Sequence, residues 1–178
     1  MQNPCKPLLL MDIDGVLSLF GFSSDERPPG TWLQVDGAPH LLSPTAREHL
    51  LILRREFDIV WCSGWEEKAN EYLPHALGLG GPLPYLSFDR APGRGHAHWK
   101  LAAIEDHAGP DRPLAWIDDA LDDACRSWAR RRSGPTLLVQ TLPALGLTDA
   151  HVAALRDWAR ELGGNGTPPA CQPPLSGA

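Results

Sequence analysis

The sequence has few of the features that mark disulfide-rich, zinc-binding or membrane proteins. Its four cysteines lie far apart, and no two of them form a CxxC pair. We therefore expect neither a disulfide framework nor a structural zinc site, and a reducing compartment is the better prediction. The apolar run at residues 8–11 is interrupted by Asp12 and Asp14. Because neither a signal peptide nor a membrane span can be built from it, the sequence predicts a cytoplasmic protein.

Positive charge is scarce as well. The chain has a net charge of -6 at pH 7, with three lysines against thirteen arginines and no long basic stripe. This balance argues against a protein that coats duplex nucleic acid by neutralising its phosphates. It does not exclude a site that binds a single phosphate through a metal ion.

The apolar runs indicate the fold class. Five short runs, near-continuous in apolar character, predict strands buried on both faces of a parallel sheet. They lie at residues 7–13, 58–62, 85–88, 114–117 and 136–140. Helical patterns follow each of the runs or lie between them, at residues 43–57, 66–77, 97–107, 121–132 and 149–162. Alternating strands and helices predict an α/β, three-layer Rossmann-like fold with a five-stranded parallel sheet.

The same pattern predicts one domain, residues 1–162, and a tail, residues 163–178. The segment 15–42 is rich in Gly, Pro and short polar residues, and we expect it to form a small flap. Within it, residues 31–35 are predicted to be half of a hairpin, and the remaining spacing leaves no room for a large cap domain. The Pro- and Gly-rich tail has few apolar anchors, so we expect it to be disordered.

Residues suited to phosphate chemistry lie at the predicted strand ends. Two acids end the first strand, Ser-Gly follows the second, and two acids end the fourth. A lysine opens a helix after a His- and Gly-rich loop. These residues are Asp12, Asp14, Ser63, Gly64, Lys100, Asp118 and Asp119. In α/β sheets the ligand site lies beyond the carboxyl ends of the strands, so we expect them to share one site.

The chemistry of this set points to phosphoryl transfer. Carboxylates that meet at one edge repel each other unless a cation lies among them, and hard oxygen ligands without thiolates favour Mg²⁺. Asp12 can attack phosphorus and form an aspartyl-phosphate. Lys100, Ser63 and the backbone N–H of Gly64 can stabilise the phosphoryl oxygens. Asp14 lies on the same face of the strand, and we expect it to protonate the leaving group of an ester and then activate water.

The order DxDGV, then Ser, then Lys, then DD resembles the haloacid dehalogenase (HAD) superfamily, in its phosphatase branch with a minimal cap. The resemblance covers roughly residues 7–162. It implies that Asp12 is the nucleophile and a metal ligand. It also implies that Asp14 is the general acid/base and that its backbone carbonyl binds Mg²⁺. Dehalogenase members lack an acid that matches Asp14, so the resemblance points to phosphate esters.

The resemblance implies roles for the later motifs too. Ser63 and Lys100 would bind the phosphoryl group, Asp118 would bind the metal, and Asp119 would lie near it. More loosely, the WxSGW-like and WIDD-like segments are similar to bacterial HAD domains whose relatives have been proposed to act in RNA end repair. We therefore expect the partner to be a phosphorylated small molecule or a nucleic-acid end.

Several alternatives stay open at this point. The protein can be a sugar-phosphate or other small-metabolite phosphatase, or a non-catalytic phosphate- or nucleotide-binding protein on the same scaffold. The sequence does not give the physiological substrate or the oligomeric state. It also leaves open whether the residues around the motifs contact the substrate, namely Trp65, Arg94, His96 and His98.

Overall fold

The structure is a computed structural model that describes residues 6–89 and 95–164. Its strands are β1 (Leu8–Met11), β2 (Ser18–Leu19), β3 (Thr31–Val35), β4 (Ala38–Leu42), β5 (Asp58–Trp61), β6 (Leu114–Asp118) and β7 (Thr136–Gln140). Its α-helices are α1 (Ala46–Leu53), α2 (Lys68–Ala76), α3 (Leu101–Ala108), α4 (Asp123–Arg131) and α5 (Asp149–Gly164). The predicted substrate contact Arg94 and residues 165–178 of the predicted tail lie outside the described residues.

The main sheet is parallel and has the strand order β5-β1-β6-β7. β1 lies in the middle, where Met11 pairs with Trp61 of β5 on one side and with Ile117 of β6 on the other. The carboxyl ends of these three neighbouring strands therefore meet at one edge, as parallel strands require.

Two hydrophobic cores cover the two faces of the sheet. Because side chains alternate along a strand, Leu9 and Met11 of β1 face one core, whereas Leu8 and Leu10 face the other. The first core is completed by apolar residues of α1, α2 and α5, and the second by residues of α3 and α4. The result is the expected α/β arrangement, with helices on both sides of a buried parallel sheet.

The described residues form a main sheet of four strands, which corrects the predicted five. Residues 85–88 form no strand, and Tyr85 makes only an isolated parallel bridge with Trp61. Two hydrogen bonds join this segment to β5, from Trp61 N–H to Pro84 O at 2.8 Å and from Leu86 N–H to Trp61 O at 2.9 Å. Pro84 has no N–H to donate, so the ladder cannot extend from this bridge toward the start of β5. On the other side of the bridge, Phe88 donates its N–H to Glu66 Oε1 instead of to a strand.

Helix boundaries differ from the predicted ones because of local backbone geometry. α2 begins at Lys68 rather than at Glu66, since Glu66 has a left-handed φ of 48°. The predicted helix 97–107 divides into a 3₁₀ turn, His98–Lys100, followed by α3. α5 continues through Gly164, two residues past the predicted boundary. None of the helices in the described segments is long and apolar enough to cross a membrane.

Strands β2, β3 and β4 form a second, antiparallel sheet in the order β2-β4-β3, which we call the flap. β3 and β4 make a hairpin whose two-residue turn is Asp36-Gly37, and both turn residues have positive φ, as a type I′ turn requires. The side chain of Asp36 accepts hydrogen bonds from Lys68 and from Tyr72 of α2. These contacts tie the tip of the flap to the main domain.

Candidate active site

The ends of β1 and β6 bring two of the predicted acids together. Asp12 directly follows β1, and Asp118 is the last residue of the neighbouring β6. The backbone N–H of Asp12 donates to the carbonyl oxygen of Ile117 at 3.1 Å, so the hydrogen-bond ladder between β1 and β6 extends to Asp12. Ser63 lies just beyond β5, on the other side of β1.

Lys100 contacts both of these acids from the start of α3. Its Nζ lies 2.8 Å from Asp12 Oδ2 and 2.7 Å from Asp118 Oδ2. All three residues are buried. Burial alone would lower the pKa of Lys100, but the two carboxylates outweigh burial and hold it above its usual range. The site therefore contains a fixed positive charge between two carboxylates.

The carboxylates outnumber this single ammonium group. Oxygen atoms of Asp12, Asp118 and Asp119 lie within 4.8 Å of one another. Burial, together with the charge of Asp12, raises the pKa of Asp118 to about 7, and the same causes raise the pKa of Asp119. Three hard oxygen donors with an excess of negative charge fit a divalent cation such as Mg²⁺. No thiolate or imidazole belongs to this group of described residues, so the donor set does not favour a softer metal.

The second acid, Asp14, is partly buried beside the flap. Trp65 donates its indole N–H to Asp14 Oδ2 at 2.8 Å, and Nδ1 of His40 in β4 lies 3.3 Å from Oδ1. Burial raises the pKa of Asp14, and the charge of Asp12 adds to the rise. The Trp65 N–H, His40 and Ser18 act in the opposite direction. The net effect is a raised pKa for Asp14, which favours a side chain that can carry a proton.

The predicted phosphate-binding residues follow β5. Ser63 is 1% exposed, and its Oγ accepts the backbone N–H of Trp65 at 3.4 Å. Gly64 is exposed, so its backbone is open to a ligand. The neighbouring Cys62 is fully buried, and burial raises the pKa of its thiol, which makes it a core residue rather than a nucleophile.

The histidines before Lys100 form a separate cluster with Asp122. The rings of His96 and His98 stack with centroids 4.1 Å apart, and His98 Nδ1 lies 2.6 Å from Asp122 Oδ2. The other oxygen of Asp122 accepts the N–H of Cys125 and caps α4, as expected for an acid at a helix start. These contacts join the segment before Lys100 to the start of α4, and contact with a substrate stays a prediction for both histidines.

Two contacts of the site were not predicted from the sequence. These are the hydrogen bond from Trp65 to Asp14 and the approach of His40 to the same carboxylate. For Trp65 the sequence leaves open whether it contacts the substrate, and it assigns no role to His40. No local sequence signal marks either contact, because each depends on how the flap packs against the end of β5.

Comparison with known protein families identifies the family of the chain. The family described as "HAD domain in Swiss Army Knife RNA repair proteins" matches residues 8–152, which is most of the chain. The chain belongs to this family. The match confirms the predicted HAD superfamily membership and the predicted similarity to RNA-repair domains. The comparison with curated proteins gives no significant match.

Membership of the family relates the chain to a known class of enzymes. HAD domains are generally hydrolases that act on phosphate esters, and they typically depend on Mg²⁺. The matched segment includes all the predicted site residues, from Asp12 to Asp119.

Proposed function

We propose that this protein is a Mg²⁺-dependent phosphomonoesterase that forms an aspartyl-phosphate on Asp12. The observation that carries the proposal is the buried contact of Lys100 with both Asp12 and Asp118, beside a second acid, Asp14. A protein that only binds phosphate has no need for an acid at the position of Asp14, whereas cleavage of an ester does.

The reaction has two steps. A carboxylate oxygen of Asp12 forms a bond to phosphorus while the bond from phosphorus to the ester oxygen breaks, and Asp14 gives its proton to that oxygen. Asp14 then takes a proton from water, whose oxygen attacks phosphorus and releases phosphate from Asp12. Ser63 and Lys100 bind the phosphoryl oxygens in both steps and hold them in line with Asp12.

The acid cluster supplies the ligands for Mg²⁺. Asp12, Asp118 and the backbone carbonyl of Asp14 would hold the ion, with Asp119 close to it. When bound, the ion would supply positive charge near the phosphoryl oxygens. Without it, four carboxylates and one ammonium group would repel an anionic substrate. Lys100 offsets part of this charge.

We propose terminal phosphates of nucleotides or short nucleic-acid strands as the substrate class. Membership of an RNA-repair family supports this class. Between Asp14 and Ser63 the chain forms the flap, α1 and β5, and these short elements include no large cap domain that would exclude a bulky substrate. The net charge of -6 argues against binding along an extended strand, so recognition of the end is favoured.

Phosphate release from a substrate panel tests the proposal. Oligonucleotides with a 3′- or 5′-phosphate, mononucleotides and sugar phosphates are compared with Mg²⁺ and with a chelator. We expect turnover that requires Mg²⁺, is lost in Asp12→Asn, and is highest for nucleotide or oligonucleotide ends. If a sugar phosphate has a kcat/KM about tenfold higher, the small-metabolite alternative is correct. If ligands bind but none is hydrolysed, the protein is a binding protein.

A further inference from the structure

The two carboxylate oxygens of Asp14 have different neighbours. Oδ2 accepts the indole N–H of Trp65 at 2.8 Å, a bond between residues 51 positions apart in the chain. Oδ1 lies 3.3 Å from Nδ1 of His40, which is also 3.1 Å from Ser18 Oγ. An indole N–H is only a donor, so Oδ2 has to act as an acceptor. The surroundings therefore make the two oxygens chemically distinct.

Trp65 is itself held in place from several sides. Its backbone N–H donates to Ser63 Oγ at 3.4 Å, and its ring packs against the core that covers one face of the sheet. The ring of His40 meets it edge-on, with centroids 4.7 Å apart and planes at 72°. An indole packed in this way keeps one direction for its N–H.

We propose that Trp65 is a positioning residue for Asp14. By holding Oδ2 as an acceptor, it leaves Oδ1 as the oxygen that gives a proton to the leaving group and later takes one from water. The inference rests on the function proposed above. The bond suits both steps, because a carboxylate oxygen accepts in the ionised acid and the carbonyl oxygen accepts in the protonated acid. The transferable proton thus stays on one oxygen with a fixed direction.

The dependence of rate on the leaving group tests this role. Trp65→Phe keeps an aromatic ring against His40 and the core but removes the N–H donor. Substrates are 4-nitrophenyl phosphate, phenyl phosphate and a nucleoside 3′-phosphate, in order of increasing need for protonation. Because kcat also contains the second step, which all substrates share, the quantity compared is kcat/KM, which reports formation of the aspartyl-phosphate. We expect kcat/KM to fall about tenfold or more for the nucleoside phosphate and less than about twofold for 4-nitrophenyl phosphate.

Trp128→Phe is the matched control. Trp128 also donates its indole N–H to a carboxylate, Glu105 Oε1 at 2.7 Å, but it lies on α4 and not at the site. This variant loses the same kind of bond and should keep the wild-type ratio of rates across the three substrates. Equal losses of kcat/KM for all leaving groups in Trp65→Phe would reduce Trp65 to a structural residue and overturn the inference.

A measurement without turnover separates the inference from the proposed function. The indole ¹⁵N–H NMR resonance of Trp65, assigned by its loss in Trp65→Phe, should shift in Asp14→Ala, while the Trp128 resonance should not. An unshifted Trp65 resonance overturns the inference whatever the activity. If the resonance shifts but the wild type hydrolyses no ester, the proposed function is wrong and the role in proton transfer is wrong with it.

Discussion

Thr141 donates its side-chain hydroxyl to the backbone carbonyl oxygen of Gly15 at 2.7 Å. Thr141 directly follows β7, is 1% exposed, and also donates its backbone N–H to Asp118 O at 3.2 Å. A residue next to the outermost strand of the sheet thus joins the loop after β1 to the end of β6. Since Asp14 lies in that loop, Thr141 fixes the backbone from which the second acid projects.

Thr141→Val should lower both stability and activity. The variant keeps the shape of the side chain but leaves the buried Gly15 carbonyl without its partner, which costs about 1–3 kcal/mol of unfolding free energy. We expect kcat to fall as well, because the Asp14 loop is less well fixed. Urea denaturation and steady-state kinetics measure the two effects.

Thr136→Val is the control at the other end of β7. Thr136 donates its hydroxyl to the carbonyl oxygen of Gly134 at 3.0 Å, far from the acid cluster along the strand. This variant should lose stability and keep its kcat. If Thr141→Val is destabilised to the same extent and also keeps full kcat, the contact with Gly15 has no part in positioning the acid.

Gly15→Ala should be more harmful than an ordinary glycine substitution. Gly15 has a φ of 72°, and a Cβ atom there would lie 2.5 Å from Asp119 Cγ. Gly21 has a similar φ of 77° but nothing within 4 Å of its Cβ position. Both alanine variants carry the cost of a left-handed backbone, about 1–2 kcal/mol, and only Gly15→Ala adds the clash.

The difference between the two variants isolates the contact with the acid cluster. Unfolding free energies should fall more for Gly15→Ala than for Gly21→Ala, and Mg²⁺ affinity, measured by calorimetry, should fall only for Gly15→Ala. Equal losses of unfolding free energy and of Mg²⁺ affinity in both variants would mean that Asp119 moves away from the added methyl group at no energetic cost.

The sequence predicted the parts of the fold that depend on local patterns. The runs at 58–62 and 136–140 became β5 and β7 with almost the predicted bounds, because an unbroken apolar run buried on both faces has few alternatives. The run at 85–88 is equally apolar but follows Pro84, whose missing N–H prevents a full ladder with β5. The hydrophobic pattern alone does not indicate that a backbone N–H donor is missing.

The sequence predicts the site residues that lie at the ends of strands or at the start of a helix. Asp12, Lys100 and Asp118 meet because each lies at the end of a strand or the start of a helix on one edge. The contacts of His40 and Thr141 come from chain segments whose approach depends on the packing of the flap and of β7. Such long-range contacts leave no periodic pattern in a single sequence.

Stability should fall as pH rises when no divalent cation is present. The pKa of Asp118 is raised from about 3.8 in the unfolded chain to about 7 in the folded protein. Between these values the folded state keeps a proton that the unfolded state has lost, so the unfolding free energy decreases from about pH 4 to pH 7. In the presence of a chelator, the Tm of the wild type should be lower at pH 8 than at pH 6.

Mg²⁺ should reverse this trend, since it replaces the proton as the neutralising charge. The rise in Tm on adding Mg²⁺ should therefore be larger at pH 8 than at pH 6 in differential scanning fluorimetry. Asp118→Asn has no carboxylate to titrate and should show a weaker pH dependence in chelator and a smaller response to Mg²⁺. A response to Mg²⁺ that is the same at both pH values and in the variant would place the ion elsewhere.

Replacing each acid of the DxD motif should affect the two steps of the reaction differently. Asp12→Asn removes the nucleophile, so no phosphorylated protein should form from any substrate. Asp14→Asn keeps the nucleophile but removes the base that activates water in the second step. With 4-nitrophenyl phosphate, whose leaving group needs little protonation, the first step should persist and aspartyl-phosphate should accumulate.

Mass spectrometry of acid-quenched protein distinguishes these outcomes. A phosphate adduct on Asp12 should be scarce in the wild type, where the second step removes it, and abundant in Asp14→Asn. With a nucleoside 3′-phosphate the adduct in Asp14→Asn should be much smaller, because formation of the intermediate then also needs the missing acid. An adduct on another residue of Asp12→Asn would overturn Asp12 as nucleophile. Equal adduct levels from both substrates in Asp14→Asn would mean that a different group protonates the leaving oxygen. His40, a flap residue whose Nδ1 lies 3.3 Å from Asp14 Oδ1, would be the first to substitute.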